Sequence, residues 1–203
     1  MVAMGLIVIG MPRSGTAYTA KLLQNLGLVV GHERLGKDGI VSWQVSMDVP
    51  TKSPWGDGTR RRDIPKGYKL AHVVRHPLKE IASLGTEAPH GPSAHFMRTC
   101  MLSVKAPDPG TSFSLQARMS LWYYWVWYCT TQTDRTIRID DMATEAPKLI
   151  AEAGYKVPET FELPPDNLNA RPHAPVTWEE LHAADVQMAY RIRALATQLN
   201  FEP

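Results

Sequence analysis

The chain has 203 residues and a mass of 22.7 kDa, enough for one compact domain with a real hydrophobic core. Hydrophobic residues make up 44% of it and charged residues 21%, a globular balance rather than a disordered or fibrous one. The net charge of +2, with its basic residues scattered, argues against a nucleic-acid-binding surface.

From the start, Val2 to Met11 is apolar, but no basic segment precedes it. The run leads directly into Pro12-Arg13-Ser14-Gly15 rather than into a small-residue cleavage site, which speaks against a signal peptide. No other stretch approaches the ~20 apolar residues of a membrane-spanning helix. Cys100 and Cys129 have neither a metal-type spacing nor a disulfide framework. A reducing compartment fits them best, with one bridge left open. The expectation is a soluble, cytoplasmic protein with no membrane span.

Leu6-Ile7-Val8-Ile9 is a continuous apolar run rich in β-branched residues, the pattern of a parallel strand buried on both faces. It enters Gly10-Met11-Pro12-Arg13-Ser14-Gly15-Thr16 and then a helical stretch with Ala17, Ala20, Leu22 and Leu23 on its apolar face. Gly27 stops that helix. Leu28-Val29-Val30 predicts a second strand ending at Gly31-His32-Glu33. A third is predicted over Tyr68–Val74, followed by Arg75-His76-Pro77 and a helix to about Leu84, with Pro77 suited to the first turn.

Leu115, Met119, Trp122, Val126 and Cys129 form a helical stripe over Leu115–Gln132. Tyr123, Tyr124, Trp125, Trp127 and Tyr128 fill its other faces, so burial nearly all round is expected, and core packing rather than base stacking or lipid contact. Thr136–Ile139 predicts another strand, Asp140-Asp141 a cap for a helix running to Gly154, and Thr177-x-x-Glu180 a capping box. That box opens a helix reaching about Leu199, with room for a break.

Val49–Gly67, with three Pro and three Gly, and Gly85–Phe113, without a clear period, are assigned no element. Loops of this length are usually lids, binding loops or disordered segments. Arg60-Arg61-Arg62 is answered by Asp63 and is expected in a solvated loop. Alternating strands and helices without repeats predict a single domain over residues 1–203, α/β in class, with three αβα layers around a mostly parallel sheet.

Gly10 to Gly15 has the G-x4-G spacing of a nucleotide phosphate loop, in which backbone N–H groups and a helix N-terminus surround an anion. Thr16-Ala17 stands where an ATPase or GTPase carries Lys followed by Ser or Thr. That substitution removes two supports for phosphoryl transfer from a metal–triphosphate. The cation is Arg13, inside the loop, which suits an anion held by a guanidinium and amides without metal.

Pro12-Arg13-Ser14-Gly15-Thr16 resembles the 5′-phosphosulfate loop of sulfotransferases, P-[KR]-[SG]-G-[ST]. The resemblance implies a P-loop NTPase-like sulfotransferase fold and 3′-phosphoadenosine 5′-phosphosulfate (PAPS) as co-substrate. It implies binding roles for Pro12, Arg13, Ser14, Gly15, Thr16 and, through its backbone, Ala17. Val73 to Ser83 resembles the family's strand–Arg–helix segment, with Arg and Ser eight positions apart. Arg75 and Ser83 then take the 3′-phosphate. Asn169-Ala170-Arg171-Pro172-His173 resembles a late loop that closes over the donor, which makes Arg171 a phosphate contact.

Sulfuryl transfer needs a base for the acceptor and cations for the leaving phosphate. Arg13 is the electrophilic clamp. Glu33, twenty residues after Arg13, resembles in position the catalytic Glu of the tyrosylprotein branch of the family. It is the first choice for the base, and His32 is the runner-up. The plainer alternative pairs Glu33 with Arg34 or Arg13. Lys37, Asp38, Ser42 and Trp43 are candidates for the acceptor pocket by position, and His95 lies in a stretch that could face the acceptor. His72, His76 and His90 read as structural or loop residues. The acceptor is a small molecule or glycan of unspecified class, and no metal is expected. A phosphate-loop kinase or hydrolase, and a silent nucleotide-binding domain, are the alternatives.

Overall fold

A computed structural model describes residues 4–110 and 112–202. Val2 and Ala3 of the N-terminal apolar run, and one position of the second long loop, lie outside the described residues. β1 (Leu6–Gly10) is buried along its whole length because both of its faces are covered. Leu6 and Val8 pack with α1 (Thr16–Asn25) and α5 (Met142–Glu152). Ile7 and Ile9 enter a larger core with α2 (Pro77–Leu84), α3 (Pro92–Ser103), α4 (Leu115–Gln132), α6 (Trp178–Ala184) and α7 (Val186–Gln198). The period-2 alternation of a strand thus feeds two cores at once.

The other strands are β2 (Val30–His32), β3 (Gly39–Val41), β4 (Lys69–Val74) and β5 (Thr136–Arg138). They pair in the order β2-β3-β1-β4-β5, and every pairing is parallel. The architecture is three-layer αβα. Because all five strands point one way, the segments after β1, β2, β3, β4 and β5 emerge on one carboxyl edge, where open α/β sheets place their sites.

Several expectations are corrected. The second strand starts at Val30, not Leu28, because the α1 turn continues through Gly27, with Leu28 N–H donating to Leu23 C=O at 3.1 Å. β3 had no sequence assignment; three residues are too few to show a period. Lys37 and Asp38 precede β3 and therefore lie at the amino edge, where Asp38 C=O accepts from Leu6 N–H at 2.8 Å. They therefore lie at the opposite edge of the sheet from Glu33, Ser42 and Trp43.

Within Gly85–Phe113 stands α3, with Pro92 in its first turn and Ala94, Met97 and Met101 buried one turn apart. Asp141 does not cap α5; it bonds Arg138 Nε at 2.6 Å from a short 3₁₀ turn. α4 is not buried all round: Trp127 is 49% exposed. The capping box holds, with Glu180 N–H donating to Thr177 Oγ1 at 3.2 Å and Thr177 N–H donating to Glu180 Oε2 at 2.8 Å. Asp185 marks the break and caps α7. Arg60 and Arg62 pair with Asp63 and Asp48, but Arg61 turns inward and donates to Val45 C=O. Cys100 and Cys129 are both buried and free. Among the described residues no helix is long and apolar enough to cross a membrane.

α4 supplies the core with two indole donors. Trp125 Nε1 donates to Gly10 C=O at 3.1 Å, and Trp122 Nε1 donates to Glu80 Oε2 at 3.0 Å. Glu80, on α2, is fully buried, and its Oε1 has no partner. Burial raises this carboxyl from 4.5 to about 8, opposed by the Trp122 bond and by Arg75. The folded state therefore keeps a proton that the unfolded chain releases above pH ~4.5. Stability falls as pH rises from about 4.5 through about 8. Glu80→Gln keeps an acceptor for Trp122 and removes the charge. At pH 8 it should stabilise the fold by at least about 1 kcal/mol, or roughly 2–4 °C in Tm, with the gain shrinking at pH 5. Thermal unfolding of both proteins across that range checks it.

Candidate functional site

The carboxyl edge begins at Gly10. Its carbonyl accepts from Ser46 Oγ at 2.7 Å as well as from Trp125, and its N–H donates to the same Ser46 Oγ at 3.3 Å. A Cβ on Gly10 would lie 2.4 Å from Ser14 Oγ and 2.8 Å from Val73 O, so only glycine fits. The chain then curls through two left-handed residues, Arg13 (φ 75°) and Gly15 (φ 100°), before α1 begins at Thr16. Arg13 adopts a conformation uncommon for a side-chain-bearing residue, which the surrounding bonds must hold in place.

Those bonds join three distant segments. Arg13 Nε donates to Ser83 Oγ at 3.0 Å, and its Nη2 donates to the Asn169 carbonyl at 3.2 Å. A cavity of about 430 Å³ opens beside them. Its cations are Arg13, Arg75, Lys79 and Arg171 and its acids Asp140 and Asp166, a surplus of two positive charges. Gly15, Thr16 and Ala17 also line it, and α1 carries no acidic residue in its first turn. Burial, then Arg171 and to a lesser degree Arg75, lower the Arg13 pKa against a raising effect from Glu87. A half-buried cation among like charges is stabilised by an anion. α2 contributes side chains rather than free amides here, because His76 Nδ1 already caps Leu78 N–H at 3.3 Å.

Of the other expected positions, Ser14 is fully buried beneath the loop with its Oγ unpaired, and it lines neither cavity. Arg171 lines the cavity while pairing with Glu87 at 3.3 Å.

A second cavity of about 230 Å³ adjoins the first and shares Arg13, Thr16, Asn169 and Arg171 with it. Pro12, His32, Glu33 and Trp43 line it. Glu33 sits just past β2 in a left-handed conformation (φ 57°), and its carbonyl holds the Asp57 N–H at 3.4 Å. Its side chain is 12% exposed. Ser42 Oγ donates to Oε2 in a short bond, while Oε1 is buried without a hydrogen bond. Burial raises the carboxyl to about 7, opposed by the Ser42 hydroxyl and the Trp43 amide. Its ion-pairing neighbour is neither Arg13 nor Arg34 but His32, whose Nε2 lies 3.3 Å from Oε1 and 3.3 Å from Thr16 Oγ1. Burial lowers the His32 pKa, so near pH 7 that contact joins a largely neutral imidazole to a half-ionised carboxyl. A group with proton affinity near neutrality suits proton transfer.

His72 is buried in β4 against Thr136, and His95 is an exposed residue of α3. Sequence reasoning missed Lys79, Gln44, Trp55 and Glu87, all of which line one cavity or the other. Lys79 lies in the first turn of α2, four residues after Arg75 in the segment already singled out for anion contact, and that proximity could have signalled it. The other three carry no local signal. No group of three His, Cys, Asp or Glu side chains among the described residues is arranged to hold a metal ion.

The fold and site define a three-layer α/β protein with a cationic cavity and a near-neutral carboxyl side by side on the carboxyl edge of its sheet. No family model, curated protein or solved structure matches the chain.

Because the Ser42 hydroxyl holds the ionised form of Glu33, Ser42→Ala should move the Glu33 titration upward from about 7, by roughly one unit. Carbon-detected NMR of the labelled Glu side chains reads the shift directly. An unchanged midpoint would show that the hydroxyl does not hold the carboxylate.

Proposed function

We propose that this chain is a PAPS-dependent sulfotransferase, moving a sulfuryl group to a hydroxyl or amine of an acceptor. The observation that supports it is the junction of the two cavities at Arg13 and Thr16, with surplus positive charge on one side and Glu33 on the other. The resemblance of Pro12–Thr16 and Val73–Ser83 to the family's two donor-binding segments gives that junction its chemical reading.

In this reading the larger cavity takes the donor. Arg13, Gly15 and Thr16 face its 5′-phosphosulfate, and Arg75 and Ser83 face its 3′-phosphate. Arg171 and Asn169 belong to a loop that roofs both cavities. The acceptor oxygen or nitrogen attacks sulfur while the bond from sulfur to the phosphate oxygen breaks, and 3′-phosphoadenosine 5′-phosphate leaves. The acceptor proton passes to Glu33 Oε1, the carboxylate oxygen without a hydrogen bond. Arg13 offsets the charge that builds on the leaving phosphate. His32, between Thr16 and Glu33, orients the carboxyl and is the second choice for the base.

Calorimetry with 3′-phosphoadenosine 5′-phosphate is the first test, and absence of binding to the folded protein overturns the proposal. Magnesium-dependent binding of ATP in its place would favour a kinase or hydrolase. Arg75→Ala should weaken the bisphosphate by roughly tenfold or more, and adenosine 5′-phosphosulfate much less. With PAPS and an acceptor, Glu33→Gln should abolish turnover and leave bisphosphate affinity within about twofold. Glu33 works as a base only when ionised, so kcat/KM should rise with pH through about 7 and then level off. Turnover that survives Glu33→Gln with the same profile rules Glu33 out.

A further inference from the structure

We infer that the smaller cavity takes a neutral monosaccharide unit as the sulfuryl acceptor, an inference that rests on the transfer reading above. Size comes first. At about 230 Å³ the cavity lies below the ~300–1,000 Å³ of sites that enclose drug-sized ligands. It encloses about one ring, so the apolar bulk of a steroid or an acyl chain would be left in solvent, whereas further sugar units are at home there.

Its walls present two flat aromatic surfaces held in place. Trp43 is braced from behind by Phe96, edge-on at 5.6 Å, and by Trp125 at 6.2 Å. Trp55 comes from the loop between β3 and β4, and its Nε1 donates to Ser93 Oγ at 2.9 Å, which pins the indole against α3. Trp55 is 49% exposed and lines the same cavity, so the rest of a larger glycan can extend past it into solvent. Rigid aromatic faces suit the C–H face of a pyranose as well as the ring of a phenol, so they do not decide the class.

The unpaired polar atoms decide it. Gln44 is 3% exposed and lines the cavity, and its Nε2 is a buried donor without an acceptor. Glu33 Oε1 is buried without a hydrogen bond, although His32 Nε2 stands 3.3 Å away. A buried polar atom left unmet is costly, so a ligand that meets both is favoured over one that meets one. Two hydroxyls on one ring meet both, one accepting from Gln44 and the other donating to Glu33. A phenol has one oxygen to offer both atoms, whereas a sugar ring presents several hydroxyls along different directions. A protonated amine faces Arg13 and Arg171. An acidic sugar gains little, because Arg171 is already paired with Glu87 and Arg13 faces the donor. In the reaction the hydroxyl on Glu33 loses its proton to Oε1 as its oxygen bonds to sulfur, and the sulfur–phosphate oxygen bond breaks.

The test is a titration of the folded protein, with and without 3′-phosphoadenosine 5′-phosphate. The probes are the methyl glycosides of glucose, galactose, mannose and N-acetylglucosamine, with phenol and tyramine as the contrasting set. Tryptophan fluorescence and saturation-transfer NMR report binding. At least one glycoside should bind at millimolar concentration. Gln44→Glu, which exchanges the donor for an acceptor at the same size, and Trp55→Ala, at a half-exposed position, should each weaken it roughly tenfold. Phenol should lose less on Gln44→Glu than the glycoside does.

The inference is overturned if no glycoside binds in either condition, if phenol binds more tightly than every glycoside, or if both substitutions leave glycoside binding unchanged. Failure of the two readings is distinguishable. Glycoside binding without any bisphosphate binding supports the saccharide site and sinks the transfer reaction. Bisphosphate binding without any glycoside sinks the saccharide site alone.

Discussion

The geometry of the whole carboxyl edge depends on how Gly10 leaves the sheet. Its carbonyl receives two buried donors, the Trp125 indole and the Ser46 hydroxyl, and its N–H is held by the same hydroxyl. A buried carbonyl stripped of its donors is costly, so neither α4 nor the segment after β3 can shift without moving the loop. The ties continue along that segment. Ser46 and Ser42 lie four residues apart, and Ser42 donates to Glu33. Arg13 at one end and Glu33 at the other are thus set by one buried polar framework. The distance between the two cavities is a property of the core rather than of surface loops.

That framework also keeps two opposite charges from cancelling. Were Glu33 to pair with Arg13, its carboxyl would be held low and would have no use near neutral pH. The Arg13 guanidinium bonds go instead to Ser83 and Asn169, and Glu33 is taken by Ser42 and faces His32. Each group keeps an electrostatic need that the protein does not meet: a half-buried cation beside other cations, and a buried carboxyl with one oxygen unbonded. Pairing them would cancel both needs.

Much of the fold was legible because burial on both faces leaves a plain mark. Leu6–Ile9 and the core of the Tyr68–Val74 run read as strands since a two-sided parallel strand has no polar side to interrupt it. The same reasoning failed for β3, whose three residues are supported by neighbours on both sides rather than by their own pattern. α3 was hidden by its surroundings: its apolar spacing is helical, but Pro and Gly on either side gave the segment the composition of a loop. α4 was placed correctly and its burial overstated, because aromatic content does not say which neighbours a helix will have.

The larger and the smaller cavity differ in legibility for a physical reason. Anion binding draws on backbone amides and on a few cations close in sequence, so Gly10–Thr16 carries much of its chemistry in one short string. The smaller cavity gathers Glu33, Gln44, Trp55 and Ser93 from three segments, and each has an ordinary role when viewed alone. Gln44 becomes informative only once the fold buries it and denies its amide a partner. An unmet hydrogen bond is a property of assembled surroundings, and no local pattern encodes it. The loop at Arg13 can therefore point to an anion from sequence, whereas the partner on the far side of Glu33 is read from what the folded wall leaves unbonded.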